Sequence, residues 1–130
     1  MLLVKTRIGL SSIHGIGLFA DEDIPRGTVV WDFMPPFDVM VSAKKVNLLP
    51  ETTRAQVLKY SYYDDDEGKY VLCGDDARHF NHSETPNTGN GCEQNGTGNA
   101  TIAICDIRAG EEITCNYFDF DSEAHEKVGG

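Results

Sequence analysis

Two segments of the chain contain residue types that could bind or transform a ligand. The first is H-G-I-G-L-F-A, residues 14–20, where alternate glycines let the backbone approach a ligand closely or adopt positive φ. The second is R-H-F-N-H-S-E-T-P-N, residues 78–87. In it Asn81 offers donors and acceptors, His82 a ring that can change charge, and Pro86 a rigid turn. A purely structural loop rarely collects two histidines and two asparagines around a phenylalanine.

A third segment, G-E-E-I-T-C-N-Y-F, covers residues 110–118 and has the pattern of a strand over residues 112–118. Ile113, Cys115 and Tyr117 share one face of that strand because side chains alternate with period two. A buried tyrosine there is ordinarily a core phenol with a bonded hydroxyl. Taken singly, the first and third segments are also explained by structure alone, as a tight hairpin and a core strand.

Cysteine or metal chemistry is a separate hypothesis. The four cysteines include no C-x-x-C pair of the kind used by structural zinc sites. A Cys–His nucleophile pair would need Cys73 or Cys92, neither of which has a recognisable local signature. The acidic run at 64–68 imitates a calcium loop, but Gly68 stands where a ligand is required. A cysteine-dependent hydrolase or a metal-binding protein therefore stays an alternative, and we predict no metal site.

Most elements that would position these segments are strands. Ser42 is a plausible N-cap for a short helix through Leu49, and Pro50 opens a second helix at about 51–60. Strands are expected at residues 2–8, 17–20, 27–33, 69–73, 97–106 and 112–118. The predicted fold class is mainly β with a small helical insert.

Composition restricts the class of protein further. A length of 130 residues fits one domain, and 40% hydrophobic residues favour a folded core. The 21 acidic against 11 basic residues give a net charge of −10, which disfavours direct nucleic-acid binding and suits cationic proteins as partners. No apolar run reaches the roughly 20 residues of a membrane span, and no signal peptide is evident. We expect a cytoplasmic protein of bacterial type, with no membrane association.

In order along the chain, the three segments resemble the SET-domain protein lysine methyltransferases, especially their compact bacterial and viral members. The shared motifs are G-x-G-x-F-A, R-x-F-N-H-S-x-x-P-N and G-E-E-I-T-x-x-Y. The resemblance covers about residues 5–120. It implies one SET-like domain over 1–130, built as a β-clip of small sheets with a C-terminal pseudoknot. Residues 41–63 resemble the family's variable helical insert, and 119–130 form a tail.

The resemblance also implies a site for S-adenosyl-L-methionine, with S-adenosyl-L-homocysteine as the product. The implied cofactor-binding residues are His14, Gly15, Ile16, Gly17, Asn81, His82 and, from the tail, Phe120. The implied substrate-channel residues are Phe33, Cys115 and Tyr117. Tyr117 is the implied catalytic residue, orienting a lysine amine that enters from the opposite side.

Departures from the family pattern refine these expectations. Glu84 stands where many members have a zinc-binding cysteine, so no zinc is expected. Phe33 stands where a channel tyrosine is common. Cys115 stands where tyrosine or phenylalanine commonly tunes how many methyl groups are added, so that number stays open. The implied function is methyl transfer to the side-chain amine of lysine in a basic protein or peptide, by a monomer or homodimer. The alternative is a non-catalytic SET-fold module that binds the cofactor or a basic partner.

Overall fold

The computed structural model describes residues 1–64, 67–90 and 100–116, and short strands dominate them. Two α-helices, α1 (Ala43–Asn47) and α2 (Glu51–Tyr60), and one 3₁₀ helix, Asp76–His79, complete the regular structure of this part. The strands are β1 (Thr6–Leu10), β2 (Ile16–Ala20), β3 (Val29–Asp32), β4 (Val39–Ser42), β5 (Ser61–Asp64), β6 (Lys69–Leu72), β7 (Asn81–His82), β8 (Thr88–Asn90), β9 (Ala100–Ala103) and β10 (Thr114–Cys115).

These strands form four small sheets. β1 and β2 make an antiparallel hairpin, and β3-β9-β8 and β4-β6-β5 are three-stranded antiparallel sheets. β7 and β10 pair in parallel, although more than thirty residues separate them along the chain. The architecture confirms the predicted class: mainly β, in small sheets, with few helices.

The core consists of two apolar clusters that meet at Leu2 and Phe80. The first lies between the hairpin and the β3-β9-β8 sheet, and its buried members are Leu18, Ala20, Ile24, Val30, Ala103, Ile107 and Ile113. The second is built from Trp31, Val71, Cys73 and Ala77. Burial at ~25 cal/mol per Å² of apolar surface makes these clusters the main stabilising element of the fold.

The helical insert was predicted better than the strands around it. Ser42 caps α1 by accepting a hydrogen bond from the Lys45 amide at 3.2 Å, and α2 spans the residues expected after Pro50. The expected insert therefore contains both helices, but β4 and β5 flank them and pair with β6. Four-residue strands next to helices carry too little alternation to be recognised from sequence.

Several expected strands are shorter in the structure than in the sequence pattern. The first begins at Thr6, because Leu2 forms an isolated bridge with Trp31 of β3. Of the strand expected at 97–106, residues 97–99 lie outside the described residues, and the described part forms β9, which ends at Ala103. The strand expected at 112–118 is β10, only two residues long, since Glu112 pairs instead with Phe19 of the hairpin. Both α-helices of the described part are too short and too polar to cross a membrane.

A buried carboxylate joins the N-terminal segment to the second cluster. Asp38 is fully buried and accepts hydrogen bonds from the Met34 amide at 3.0 Å and the Gly74 amide at 2.8 Å. The amino group of Met1 also donates to it. Gly74 is needed there because a Cβ would lie 1.9 Å from the Phe37 carbonyl oxygen. Several donors converging on one carboxylate offset the cost of burying its charge.

Candidate active site

The side-chain amide of Asn81 lies at the point where the three chemistry-bearing segments meet. Its Nδ2 atom is 3.0 Å from the His14 carbonyl oxygen, 3.3 Å from that of Ile16 and 2.8 Å from Oε2 of Glu112. Asn81 is 7% exposed, so these bonds form away from bulk water. One amide thus holds the glycine-containing turn and the G-E-E-I-T segment together.

The position of Asn81 is fixed by the 3₁₀ helix that precedes β7 and by the strand β10 that pairs with it. Before it, the 3₁₀ helix is capped by Asp75, whose side chain accepts a hydrogen bond from the Ala77 amide at 3.0 Å. Alongside it, Asn81 pairs with Thr114 and His82 pairs with Cys115 in the parallel ladder. Pairing with β10 fixes the direction of β7. The packing of Phe80 against both apolar clusters fixes how far β7 lies from the core.

The glycine-containing turn is exposed and follows an unusual backbone path. Gly15 has φ +47°, a conformation that glycine adopts without steric cost, and its carbonyl accepts from the Ser11 amide at 2.8 Å. A Cβ added to Gly15 would meet nothing within 4 Å, so this backbone borders open space. His14 and Ile16 are likewise exposed, and they present their backbone beside Asn81.

The second glycine is required by a neighbour that the sequence did not reveal. Gly17 is buried, with no positive φ, and a Cβ there would lie 2.4 Å from Oε2 of Glu112. Glycine is therefore required at position 17 because the Glu112 carboxylate packs against the backbone. Positive φ, one of the two reasons expected for this glycine, does not apply, and close approach of its backbone to a ligand stays a prediction.

Glu112 is the site residue that sequence reasoning did not single out. Its two carboxylate oxygens accept from the Ser11 hydroxyl at 2.7 and 2.9 Å, and one of them also accepts from Asn81. The available signal was its place in G-E-E-I-T, two residues before the strand that pairs with Asn81. Glu112 places a negative charge beside Asn81 and the turn at 14–17. The region around Asn81 is therefore electrostatically complementary to a cationic group.

A second asparagine binds the N-H-S-x-x-P-N segment to the G-E-E-I-T segment. Nδ2 of Asn87 donates to the Glu112 carbonyl at 2.8 Å, and its Oδ1 accepts from the Thr114 amide at 2.8 Å. The Thr88 hydroxyl adds a bond of 2.6 Å to the Thr114 carbonyl. The long-range pairing of these two motifs therefore has a direct physical cause: backbone groups of one segment are satisfied by side chains of the other.

The substrate-channel residues expected from the sequence fall in different places. Cys115 is buried, and its Sγ lies 4.0 Å from the Asn81 carbonyl oxygen. Phe33 is half-buried and packs against the apolar cluster that contains Trp31, and its channel role stays a prediction. His82 is half-buried on β7 beside Cys115. Tyr117 and Phe120 lie outside the described residues, so their assigned roles stay predictions.

The cysteine and metal alternatives gain no support from the described part of the chain. Burial, reinforced by the negative charge of Asp38, raises the pKa of the Cys73 thiol from 9.0 to about 12. Such a thiol is protonated at neutral pH and is a poor nucleophile. Within residues 1–64, 67–90 and 100–116 no three metal-ligating side chains converge. Cys92 and part of the acidic run at 64–68 lie outside those ranges.

The SET domain family profile matches residues 15–118, most of the chain. The chain therefore belongs to the SET-domain family. The matched span begins at Gly15 and includes Asn81 and Glu112, so it covers all three segments that meet in this centre.

Solved structures show the same fold. A Plasmodium falciparum protein described as a histone methyltransferase is 23% identical with a TM-score of 0.61, over 89% of this chain and 95% of the other. A humanized mutant of the Chaetomium thermophilum Polycomb Repressive Complex 2, bound to an inhibitor, is 23% identical with a TM-score of 0.63, over 95% of this chain but 16% of the other. A Polycomb Repressive Complex 2 structure with histone H3 ligands is 22% identical with a TM-score of 0.60, covering 88% and 14%.

Proposed function

We propose that this protein is an S-adenosyl-L-methionine-dependent protein-lysine N-methyltransferase. The observation that carries the proposal is the Asn81 amide, which joins the turn at His14 and Ile16 to Glu112. Membership of the SET-domain family supports it. Function depends on a site rather than a fold, and this site is where the three motifs of the chain converge.

The residues around Asn81 fit the amino-acid end of the cofactor. Gly15 leaves open space beside the backbone, and Oδ1 of Asn81 accepts no hydrogen bond from the described residues. An ammonium group would find acceptors in that oxygen and in backbone carbonyls, with the Glu112 carboxylate close behind. Asn81 and His82 with the turn at 14–17 would hold this group. When bound, S-adenosyl-L-methionine supplies a methyl group on a sulfonium, which a neutral amine can accept.

The protein's own residues must keep the amine of the substrate lysine neutral and orient it toward the methyl group. A free lysine has a pKa near ~10.4 and is mostly protonated at neutral pH. Burial disfavours the ammonium, so a dry channel lowers that pKa without a strong general base. Buried Cys115 lies beside Asn81 and helps to exclude water. Tyr117, next but one along the chain, is proposed to orient the amine; alignment of this kind can contribute ~7–11 kcal/mol.

The proposed substrate is a lysine-bearing, basic protein or peptide. A net charge of −10 attracts cationic partners and accelerates their encounter with the enzyme. One of the two Polycomb structures contains histone H3 ligands, and histone-like proteins are a sensible first substrate set for this chain.

A transfer assay tests the proposal. Purified protein is incubated with methyl-labelled S-adenosyl-L-methionine and a basic protein extract, and hydrolysed product is analysed for methylated lysine. We expect labelled methyl-lysine with the wild type, at least about tenfold less with Tyr117→Phe, and no loss with the control Tyr63→Phe. Absence of transfer together with saturable binding of the cofactor would support the non-catalytic module instead. Absence of both would overturn the assignment.

A further inference from the structure

Three basic side chains surround one tyrosine at the junction of the helical insert and the segment that leads to Asn81. The Tyr60 ring ends α2, with the Lys59 ammonium 5.3 Å and the Arg78 guanidinium 5.2 Å from its centroid. The His79 ring stands edge-on to it, with centroids 6.2 Å apart and planes at 79°. We call Lys59, Tyr60, Arg78 and His79 the Tyr60 cluster.

No carboxylate lies within ion-pair distance of Lys59 or Arg78 in the part of the chain that the structure describes, although Asp75 and Asp76 precede Arg78 on the same 3₁₀ turn. This holds even though the protein has 21 acidic residues for 11 basic ones. Lys59 and Arg78 are both exposed. Clustered cations without a counter-ion repel one another, so a bound anion would relieve an unfavourable interaction. The cluster is a local positive site on an acidic protein.

The cations of the cluster are also held in place before any ligand arrives. The aromatic face of Tyr60 attracts both Lys59 and Arg78. Arg78 donates a further hydrogen bond of 2.9 Å to the Cys73 carbonyl, which leaves its other N–H groups available. A ligand that meets ordered donors loses less conformational entropy on binding.

We infer that the Tyr60 cluster binds a carboxylate side chain of the protein substrate close to the target lysine. This inference rests on the proposed function. His79 precedes Asn81 by two residues, and two extended residues span at most about 7 Å. An aspartate or glutamate within about three residues of the lysine can therefore reach the cluster while the amine lies in the proposed channel at Cys115, whose Sγ is 4.0 Å from the Asn81 carbonyl oxygen. The substrate class is a generally basic segment with one acidic residue beside its lysine.

The test uses pairs of lysine peptides that differ only by glutamate or glutamine at one position within three residues of the lysine. Each pair is assayed for methyl transfer, and for binding by fluorescence anisotropy without cofactor. We expect the wild type to favour the best glutamate peptide about fivefold over its glutamine twin, the upper range for an exposed charge pair. Lys59→Gln should reduce the preference to about twofold or less, and Lys59→Glu should reverse it. Lys44→Gln, at an exposed lysine of α1, should retain it.

The two readouts separate failure of the site from failure of the function. Equal binding and equal transfer for every pair would overturn the carboxylate site and leave the methyltransferase proposal standing. An equal loss of preference in Lys44→Gln and Lys59→Gln would also overturn it, since general charge would then explain the effect. Preferential binding that depends on Lys59, without transfer to any peptide, would support the site and contradict the proposed function.

Discussion

At the residue scale, Glu112 links the two sides of the candidate site. Its carboxylate accepts from Ser11 in the hairpin and from Asn81 in β7. Hydrogen bonds to a charged acceptor contribute more than neutral ones, and a partner left unpaired costs its desolvation. We therefore regard Glu112 as a positioning residue that holds Asn81 against the turn.

Removal of this carboxylate should be costly, whereas removal of its neighbour should not. Glu112→Ala is expected to lower the free energy of unfolding by about 1–3 kcal/mol, because Ser11 and Asn81 each lose an acceptor. Glu111→Ala is the matched control: its exposed side chain accepts only the Arg108 amide, so a change within about 0.5 kcal/mol is expected. Urea titration measures both. Equal changes in unfolding free energy for the two variants would contradict a positioning role for Glu112.

Gly17 offers an independent test of the same contact. In Gly17→Ala the new methyl group must displace the Glu112 carboxylate, with an expected cost of about 1–3 kcal/mol. Gly9→Ala, directly opposite in the hairpin, meets Arg7 and Phe19 at ordinary distances of 3.5 Å and more and should cost less. A double-mutant cycle by urea titration should show a smaller cost of Gly17→Ala once Glu112 is alanine. An unchanged cost would exclude that contact as the cause.

At the element scale, the parallel pair β7–β10 depends on side chains as much as on its own ladder. Two residues of pairing cannot hold together segments more than thirty residues apart. Asn87 supplies additional bonds to both Glu112 and Thr114. The pairing of N-H-S-x-x-P-N with G-E-E-I-T is thus a structural requirement as well as the origin of the site.

Asn87→Ala is expected to destabilise the fold by about 3 kcal/mol, because it leaves the Glu112 carbonyl and the Thr114 amide without partners. Asn47→Ala, at an exposed position of α1, should change stability by less than about 0.5 kcal/mol. Thermal or urea unfolding distinguishes the two variants. A loss of stability for Asn87→Ala no larger than that for Asn47→Ala would mean that the hydrogen bonds of Asn87 contribute little to stability.

The elements also show which features a sequence can reveal. The Ser42 cap and Pro50 define helix starts locally, and α2 was predicted with its observed bounds. The flanking strands β4 and β5 depend on pairing with β6, which no local pattern encodes. In the site, the motifs indicated which segments meet, but the contact of Glu112 with Gly17 is a long-range packing fact.

At the scale of the whole molecule, a buried thiol makes stability depend on pH. The pKa of Cys73 is raised to about 12 by burial and by the nearby Asp38 charge. Between about pH 9 and 12 the unfolded chain therefore loses this proton while the folded chain retains it. Because the folded state then binds more protons, its stability falls as pH rises through that window and is unaffected below it.

Cys73→Ala removes this contribution and should flatten the alkaline slope. Between pH 8 and pH 10 the wild type is expected to lose about 1.4 kcal/mol more unfolding free energy than the variant, which is the equivalent of one pKa unit. The cavity cost of the substitution lowers both points equally and cancels in the comparison. Urea titrations at the two pH values supply the data, and parallel slopes would contradict the burial of an un-ionised thiol.

Binding of the cofactor by Asn81 and the turn at 14–17 is tested by NMR. Isotope-labelled protein is titrated with S-adenosyl-L-homocysteine while the backbone amide signals are followed. The account predicts saturable shifts that are largest at Gly15, Gly17, Asn81 and His82, with the signals of α2 almost unchanged. Saturable shifts concentrated away from these residues, or no saturable shifts at all, would contradict it.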